Sequence, residues 1–271
     1  MGMMDTLGDH MKQLEGVESA RRLTYPICIR LDGRAFSAFT RDLERPYDVR
    51  LSSMMYDLTC ALVAETGARV GYTQSDEISL VLLQPNEDSD GYFGLRAQKI
   101  ASMTAAFASS WFARNLDARI PEKAGQSPLF DSRAWSVPTI ADAAATLLWR
   151  ELDARKNSYT MAASTCFHHK ELLNKTSEEK REMLRSVGVD FDAYPEHFRR
   201  GAFVTRVEVE VERKYTPEEA EQLPPKHHGR NGGTLRYVRN ELRPFHPKPL
   251  HDMSTPERVE ALFGIVPENV T

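Results

Sequence analysis

An α+β fold of the ferredoxin-like, split βαβ type is predicted for the first half of this 271-residue chain. Three observations predict it: a short apolar run ending in Asp-Gly, a long stretch of helical periodicity after it, and a polar turn between two further apolar runs. Residues 25–31 (YPICIRL) are the first strand, closing on Asp32-Gly33. Between Tyr47 and Glu65, the residues Leu51, Met54, Met55, Leu58, Leu62 and Val63 recur at helical spacing. Gly67 follows where a left-handed cap ends a helix. Residues 69–72 and 78–83 flank the turn-forming segment 73–77 and make a hairpin. Residues 92–115 place Ile100, Met103, Phe107 and Trp111 on one helical face, and 129–137 supply a fourth strand. The order strand, helix, strand, strand, helix, strand is complete at that point.

Residues 1–137 form the first domain on this reading, and 138–271 an extension of helices and a β-hairpin packed on it as one unit. Ala141, Ala144, Ala145, Leu148 and Leu152 mark a helix reaching Lys156. Thr176 with Glu179 makes a capping box for a helix ending at Gly188. The alternating VEVEVE of residues 207–212 reads as a half-exposed strand, paired with 234–238 across PPKHHGRNGG.

With 41% hydrophobic and 27% charged residues, collagen-like, disordered and disulfide-framework classes are excluded. No uncharged stretch approaches the roughly 18 to 20 residues of a spanning helix, and the start, MGMMDTLGDHMKQLEG, is acidic and amphipathic. A cytoplasmic protein away from the membrane is expected. Cys28, Cys60 and Cys166 show no CxxC spacing and read as buried thiols. The net charge of -4 means that nucleic acid must be met by a local surface. Residues 199–248 carry 11 Lys and Arg against 7 Asp and Glu, so this stretch, with Arg230, Arg236 and Arg239, is the candidate nucleic-acid surface. His168-His169 and His227-His228 lack the further ligands of a zinc site and read as surface or RNA-contacting groups.

The topology sets two acids side by side. In a split βαβ sheet the first strand lies antiparallel to the third, so its end meets the turn joining strands two and three. Asp32 and Asp76 converge there, and their repulsion is unfavourable unless a cation or proton sits between them. An Asp-Gly pair alone is ordinary turn chemistry, and the convergence is what points to function. Two carboxylates suit Mg²⁺, which prefers one or two of them with phosphates and water, and a pair of such ions serves nucleotidyl transfer. Gly33, lacking a Cβ, lets the main chain approach a ligand, with the amides of Arg34, Ala35, Phe36 and Ser37 facing a triphosphate. Arg96 and Lys99, three apart on a helix, are suited to its phosphates, with Arg41, Arg45 and Arg50 as further cations. Glu77 is grouped with the catalytic acids in a supporting role, because alternation along a strand turns it away from Asp76.

Five segments, IRLDGRAFSAFT, RPYDVRLSSMM, GYTQSDEISLVL, LRAQKIASM and LLWRELDARKNSY, resemble in order the motifs of the histidine-tRNA guanylyltransferase superfamily, the 3′-to-5′ nucleotide polymerases. The resemblance spans about residues 11–165. It implies a polymerase-palm-like domain that adds nucleotides to the 5′ end of tRNA, after ATP or GTP activates the 5′ phosphate. GTP is the typical incoming nucleotide. It further implies that Asp32, Asp76 and the Gly33 carbonyl hold two Mg²⁺ ions, and that residues 32–37 with Ser75 hold the nucleotide. Arg96 and Lys99 would take its phosphates. Arg45 and Asp48 fall in the segment of the activation step, Asp153 and Asn157 in the helix-end motif, and a homotetramer is implied. The last motif departs from the dedicated enzymes, which carry His and HINN after the Asp; this chain reads Asp153-Ala154-Arg155-Lys156-Asn157-Ser158. That variant is more similar to the guanylyltransferase-like proteins, whose work resembles template-dependent repair of truncated tRNAs. Two alternatives stand beside this reading. A palm-type nucleotide cyclase shares the carboxylate pair, but a diguanylate cyclase carries GG(D/E)EF where this chain has TQSDEIS. A non-catalytic tRNA-binding protein would bind RNA without incorporating nucleotide.

Overall fold

The computed structural model describes residues 3–85, 90–214 and 234–266. Helix α1 (Met3–Ser19) precedes β1 (Ile27–Gly33), the one-turn α2 (Phe36–Phe39), α3 (Val49–Thr66), β2 (Val70–Gln74), β3 (Glu77–Leu82), α4 (Ala97–Arg119) and β4 (Phe130–Ser136). There follow α5 (Ile140–Ala163), α6 (His169–Leu172), α7 (Ser177–Ser186), α8 (Glu196–Arg200), β5 (Ala202–Lys214), β6 (Thr234–Phe245) and α9 (Thr255–Phe263). The strands form one sheet in the order β4-β1-β3-β2-β5-β6, every pairing antiparallel. β1 and β3 are neighbours, and Asp32 stands opposite Glu77 on one side and Asp131 on the other.

Side-chain alternation gives this sheet two cores. Ile27, Ile29 and Leu31 point with Ile78 and Leu80 towards α3 and α4, among Met54, Leu58, Leu62 and Phe112. Cys28, Val70, Tyr72 and Val81 point the other way, against Ala143 and Leu147 of α5 and Phe263 of α9. Each large apolar side chain buried this way contributes about 1.5 to 3 kcal/mol, and a one-residue slip would exchange the faces, so register is fixed from both sides. A third cluster joins the end of α5 to α7 and α8 through Tyr159, Leu184, Phe191 and Phe198.

Several expectations are corrected. The row that α4 buries is Ile100, Thr104, Ala108, Phe112 and Leu116; Met103 is exposed, and Phe107 and Trp111 flank the row half-buried. Helix α5 continues to Ala163 and buries Ala143, Ala144, Leu147, Arg150 and Glu151, leaving Leu152 exposed. The hairpin begins earlier, at Ala202, and residues 202–205 pair with β2, so the extension shares the sheet of the first half. Beyond Thr205 the β5-β6 ladder continues alone to Lys214 and Thr234, with Glu208, Glu210 and Glu212 exposed. Of the cysteines only Cys28 is buried; Cys60 is half-buried and Cys166 exposed. The loop 224–233, with His227-His228 and Arg230, lies outside the described residues, and of Arg236 only the strand position is described. No described helix is long and apolar enough to cross a membrane.

Candidate nucleotide site

The site is built on a turn of two residues. Ser75 and Asp76 alone join β2 to β3, and Ser75 lies in the left-handed region at φ 50°. A two-residue hairpin turn that matches strand twist needs a positive φ, which is strained for a serine; such strain collects at functional sites. The Gly33 amide donates to the Asp76 carbonyl at 3.2 Å, fastening the end of β1 to this turn. Asp32 is pushed above the usual carboxylate range by burial and then by the Glu77 charge, with Arg30 opposing. Burial lifts Asp76 to about 6, its own amide and the Ser75 hydroxyl lower it, and the Asp32 charge raises it further. Asp131, across Asp32 from Glu77, adds a fourth acid to this group.

The loop after Asp32 differs from expectation in two respects. A Cβ on Gly33 would lie 2.3 Å from the Phe36 ring, so the space a side chain would need is filled by that ring. Phe36 packs against Phe39, Phe112 and Phe130, and its side chain belongs to the core. The Arg34 amide donates to the Leu129 carbonyl at 2.8 Å and does not face a ligand. Ala35, left-handed at φ 57°, opens α2, and the amides of Ala35, Phe36 and Ser37 precede the first main-chain bond of that turn. Those three are the donors the loop offers.

Glu77 is already engaged. Its Oε1 accepts from Arg30 Nη2 at 2.6 Å, and its Oε2 accepts from Gln74 Nε2 at 3.0 Å and from Arg150. Arg150 also donates to Asp153 at 2.9 Å, and Asn157 Nδ2 donates to the same Asp153 oxygen at 3.2 Å. Glu77 therefore holds two arginines beneath the turn and is not a free ligand, which corrects its grouping with the catalytic acids. Strand alternation does not reach Asp76, which lies in the turn; Glu77, directly opposite Asp32, shares the face of Asp32. Arg30, two residues before Asp32, and Arg150, three before Asp153, were legible only through this pairing.

A cleft beside Ser75 is lined by Arg45, Tyr47, Asp48, Ala154 and His197, and a recess at Asp76 by Asn157, Thr160 and Met161. Arg45 and Asn157 thus approach the turn from two sides. Asp48 is buried and spoken for: it caps α3 through the Arg50 amide at 2.9 Å and binds the Arg50 guanidinium at 2.7 Å, which holds its carboxyl below the usual range. Arg50 also meets Glu122 at 2.6 Å, so it is not a free cation. His197 was not anticipated; its Nε2 is buried without a partner and its ring meets Tyr47 edge-on at 5.4 Å.

Arg96 and Lys99 do not join this constellation. Main-chain bonds from Leu23 to Leu95 and from Ala97 to Arg21 hold them beside the segment before β1. Asp32 is near the far end of that strand; the five intervals from Ile27 to Asp32 alone span about 17 Å. Helix α4 runs in the same sense as β1, with Ser109 reaching Phe130 beside Gly33, so its first turn lies at the start of that strand, the wrong end of the sheet. Lys99 stacks over Phe93 at 5.3 Å, and both cations are exposed.

Residues 8–138 match the family described as tRNAHis guanylyltransferase. An uncharacterised protein of Acanthamoeba polyphaga mimivirus is 30% identical over 187 residues, 61% of this chain and 63% of that protein. The tRNA(His) guanylyltransferase of Neurospora crassa is 27% identical over 243 residues, 82% of this chain and 80% of that one. The chain spans 38% of the length of one Arabidopsis thaliana tRNA(His) guanylyltransferase. A bacterial tRNA(His) guanylyltransferase-like protein solved in complex with ATP superposes with a TM-score of 0.69 at 29% identity, covering 74% of this chain and 87% of that chain. One solved in complex with GTP shares the fold, with a TM-score of 0.67 at 24% identity over 91% and 94% of the two chains.

Proposed function

We propose that this protein, whose residues 8–138 match the tRNAHis guanylyltransferase family, is an Mg²⁺-dependent nucleotidyltransferase that extends the 5′ end of tRNA in the 3′-to-5′ direction. The observation that carries the proposal is the meeting of Asp32 and Asp76 across the Gly33–Asp76 bond, where burial raises both carboxyls and the Asp32 charge raises Asp76 further. A pair of hard carboxylate oxygens with the Gly33 carbonyl fits Mg²⁺, which needs few protein ligands when phosphates complete its shell. Bound there, Mg²⁺ supplies charge neutralisation at the phosphoryl groups and activation of the attacking hydroxyl. The chain's own residues do the rest. Amides of Ala35, Phe36 and Ser37 and the Ser75 hydroxyl face the nucleotide, and Glu77, through Arg30 and Arg150, keeps the turn in place.

The cleft of Arg45 and the recess of Asn157 are where the activating ATP or GTP is accommodated. The structural relatives' complexes with ATP and with GTP support nucleotides of this class. The palm-like character follows the strand order β4-β1-β3-β2, with residues 1–137 as catalytic domain and 138–271 as its extension. Ala154 occupies the position of the histidine in the dedicated enzymes, which favours templated 5′ repair over untemplated guanylylation of tRNA(His) in the cytoplasm. RNA meets the exposed Arg239 and Arg243 face of β6, and charge reversal there should lessen the salt dependence of binding by about one unit of slope per lost phosphate contact.

The test uses a 5′-phosphorylated, 5′-truncated tRNA with ATP, labelled GTP and Mg²⁺. Label should enter RNA in the wild type. Asp32→Ala and Asp76→Ala should each lower incorporation by orders of magnitude while remaining folded, since a metal-binding carboxylate is worth several kcal/mol in the transition state. No incorporation into any of several tRNAs would refute the assignment.

A further inference from the structure

Trp149 is 55% exposed on α5, an unusual place for the largest apolar side chain. Its ring is held, not loose: the Arg150 guanidinium lies 4.6 Å and that of Arg30 6.0 Å from the ring centroid. Both arginines are anchored on Glu77, and Arg150 is itself almost fully buried. Arg30 and Asp32, two residues apart on β1, share a sheet face at about 7 Å. Arg133, opposite Arg30 on β4 and exposed, shares it too. An exposed aromatic plane, cations beneath and beside it, and the carboxylate pair further along the same face make up the surroundings of a base and its phosphate.

We infer that Trp149 is a stacking platform for a nucleobase at the reaction centre, with Arg133 taking the adjoining phosphate. The base is that of the RNA 5′-terminal nucleotide or of a free nucleoside triphosphate; the chemistry is the same for both. The inference rests on the proposed function and adds to it the place where a base is held. An exposed tryptophan with Leu152 three residues on also suits contact with a second copy of the chain. The cations stacked on Trp149 and its sheet face favour the base.

Tryptophan emission of the full chain, titrated separately with 5′-phosphorylated tRNA and with GTP, tests this. Trp149→Phe removes the Trp149 signal and leaves Trp111 and Trp135. Saturable quenching is expected in the wild type and not in Trp149→Phe. Measured with radiolabelled titrant by filter binding, Trp149→Ala should weaken binding of the quenching titrant about 5- to 100-fold at unchanged melting temperature, with Trp149→Phe regaining most of that affinity. Quenching by tRNA alone assigns the base to the RNA end; quenching by GTP assigns it to the free nucleotide; either supports the platform. Absence of quenching with both, or Trp149→Ala binding both as the wild type does, overturns it. So does a Trp149 shielded from acrylamide without nucleotide in an oligomer that Trp149→Ala splits. Label incorporation measured in parallel separates the two readings. Quenching without incorporation removes the reaction and keeps the platform, whereas incorporation with an unaffected Trp149→Ala removes the platform alone.

Discussion

The Gly33 amide and the Asp76 carbonyl meet at 3.2 Å, and this one bond fixes how near two acidic side chains must stand. Asp76 is lifted from 3.8 to about 6, burial first, with Asp32 adding to it. A carboxyl whose folded pKa is raised favours the folded state most below its unfolded pKa, and that contribution is lost as pH rises through the folded value. Metal-free protein should therefore be more stable at pH 5 than at pH 7.5, by about 1 kcal/mol from this group. Asp76→Asn should remove that difference, and Mg²⁺ should raise the wild-type melting temperature more at pH 7.5 than at pH 5. Calorimetry in chelator at three pH values measures it. An equal pH slope in wild type and variant would show that Asp76 is not the strained group.

Gly33 is required for space. Its missing Cβ is the room that the Phe36 ring fills, and Phe39, Phe112 and Phe130 box that ring in. Gly33→Ala should lower stability by about 1 to 3 kcal/mol through overpacking. Phe36→Leu in the same chain should recover part of the loss, because residues in contact couple. Urea midpoints of the two single variants and the double variant give the coupling. Simple additivity would mean that the ring and the loop do not compete for this space.

Where side-chain size and alternation carried the information, the sequence was enough. The six alternating and helical segments of the first half were legible, as was the left-handed Gly67 that stops α3 at φ 70°. Helix faces built from small residues were not. On α4 the buried row depends on Thr104 and Ala108, which admit close packing against β4, while the larger Met103 is left outside. On α5 the buried stripe includes Arg150 and Glu151, which are made compatible with the interior only by partners distant in sequence: Glu77, Arg200 and the Leu250 amide. The site divided in the same manner. Asp32 with Asp76 follows from topology, but the commitments of Glu77 and Asp48 and the distance of Arg96 need three dimensions.

Arg150 tests the support under the turn. It is buried and shared between Glu77 and Asp153. Arg150→Met should cost about 3 to 5 kcal/mol, most of it from leaving Glu77 charged and short of a partner. Glu77→Gln should be less damaging in the Arg150→Met chain than in the wild type, for the orphaned charge is then gone. A double-mutant cycle by denaturant unfolding reads this directly. Equal costs of Glu77→Gln in both backgrounds would leave the pair without energetic meaning.

Arg96 and Lys99 face away from Asp32 within one chain, so a single copy cannot apply both to one triphosphate. If they act on phosphates of the proposed reaction, they act at the site of another copy in the homotetramer that the family resemblance implies. Arg96→Ala with Lys99→Ala in one chain, and Asp76→Asn in another, should each be inactive as pure assemblies. Mixed assemblies re-formed from the two should regain up to about a quarter of wild-type incorporation per site, since sites with intact acids and a neighbour with intact cations arise only by mixing. Incorporation into 5′-phosphorylated tRNA, followed against mixing ratio, measures the recovery. Mixtures no more active than their components would place the two cations outside the reaction, and a fully active Arg96→Ala, Lys99→Ala chain would do so without any mixing.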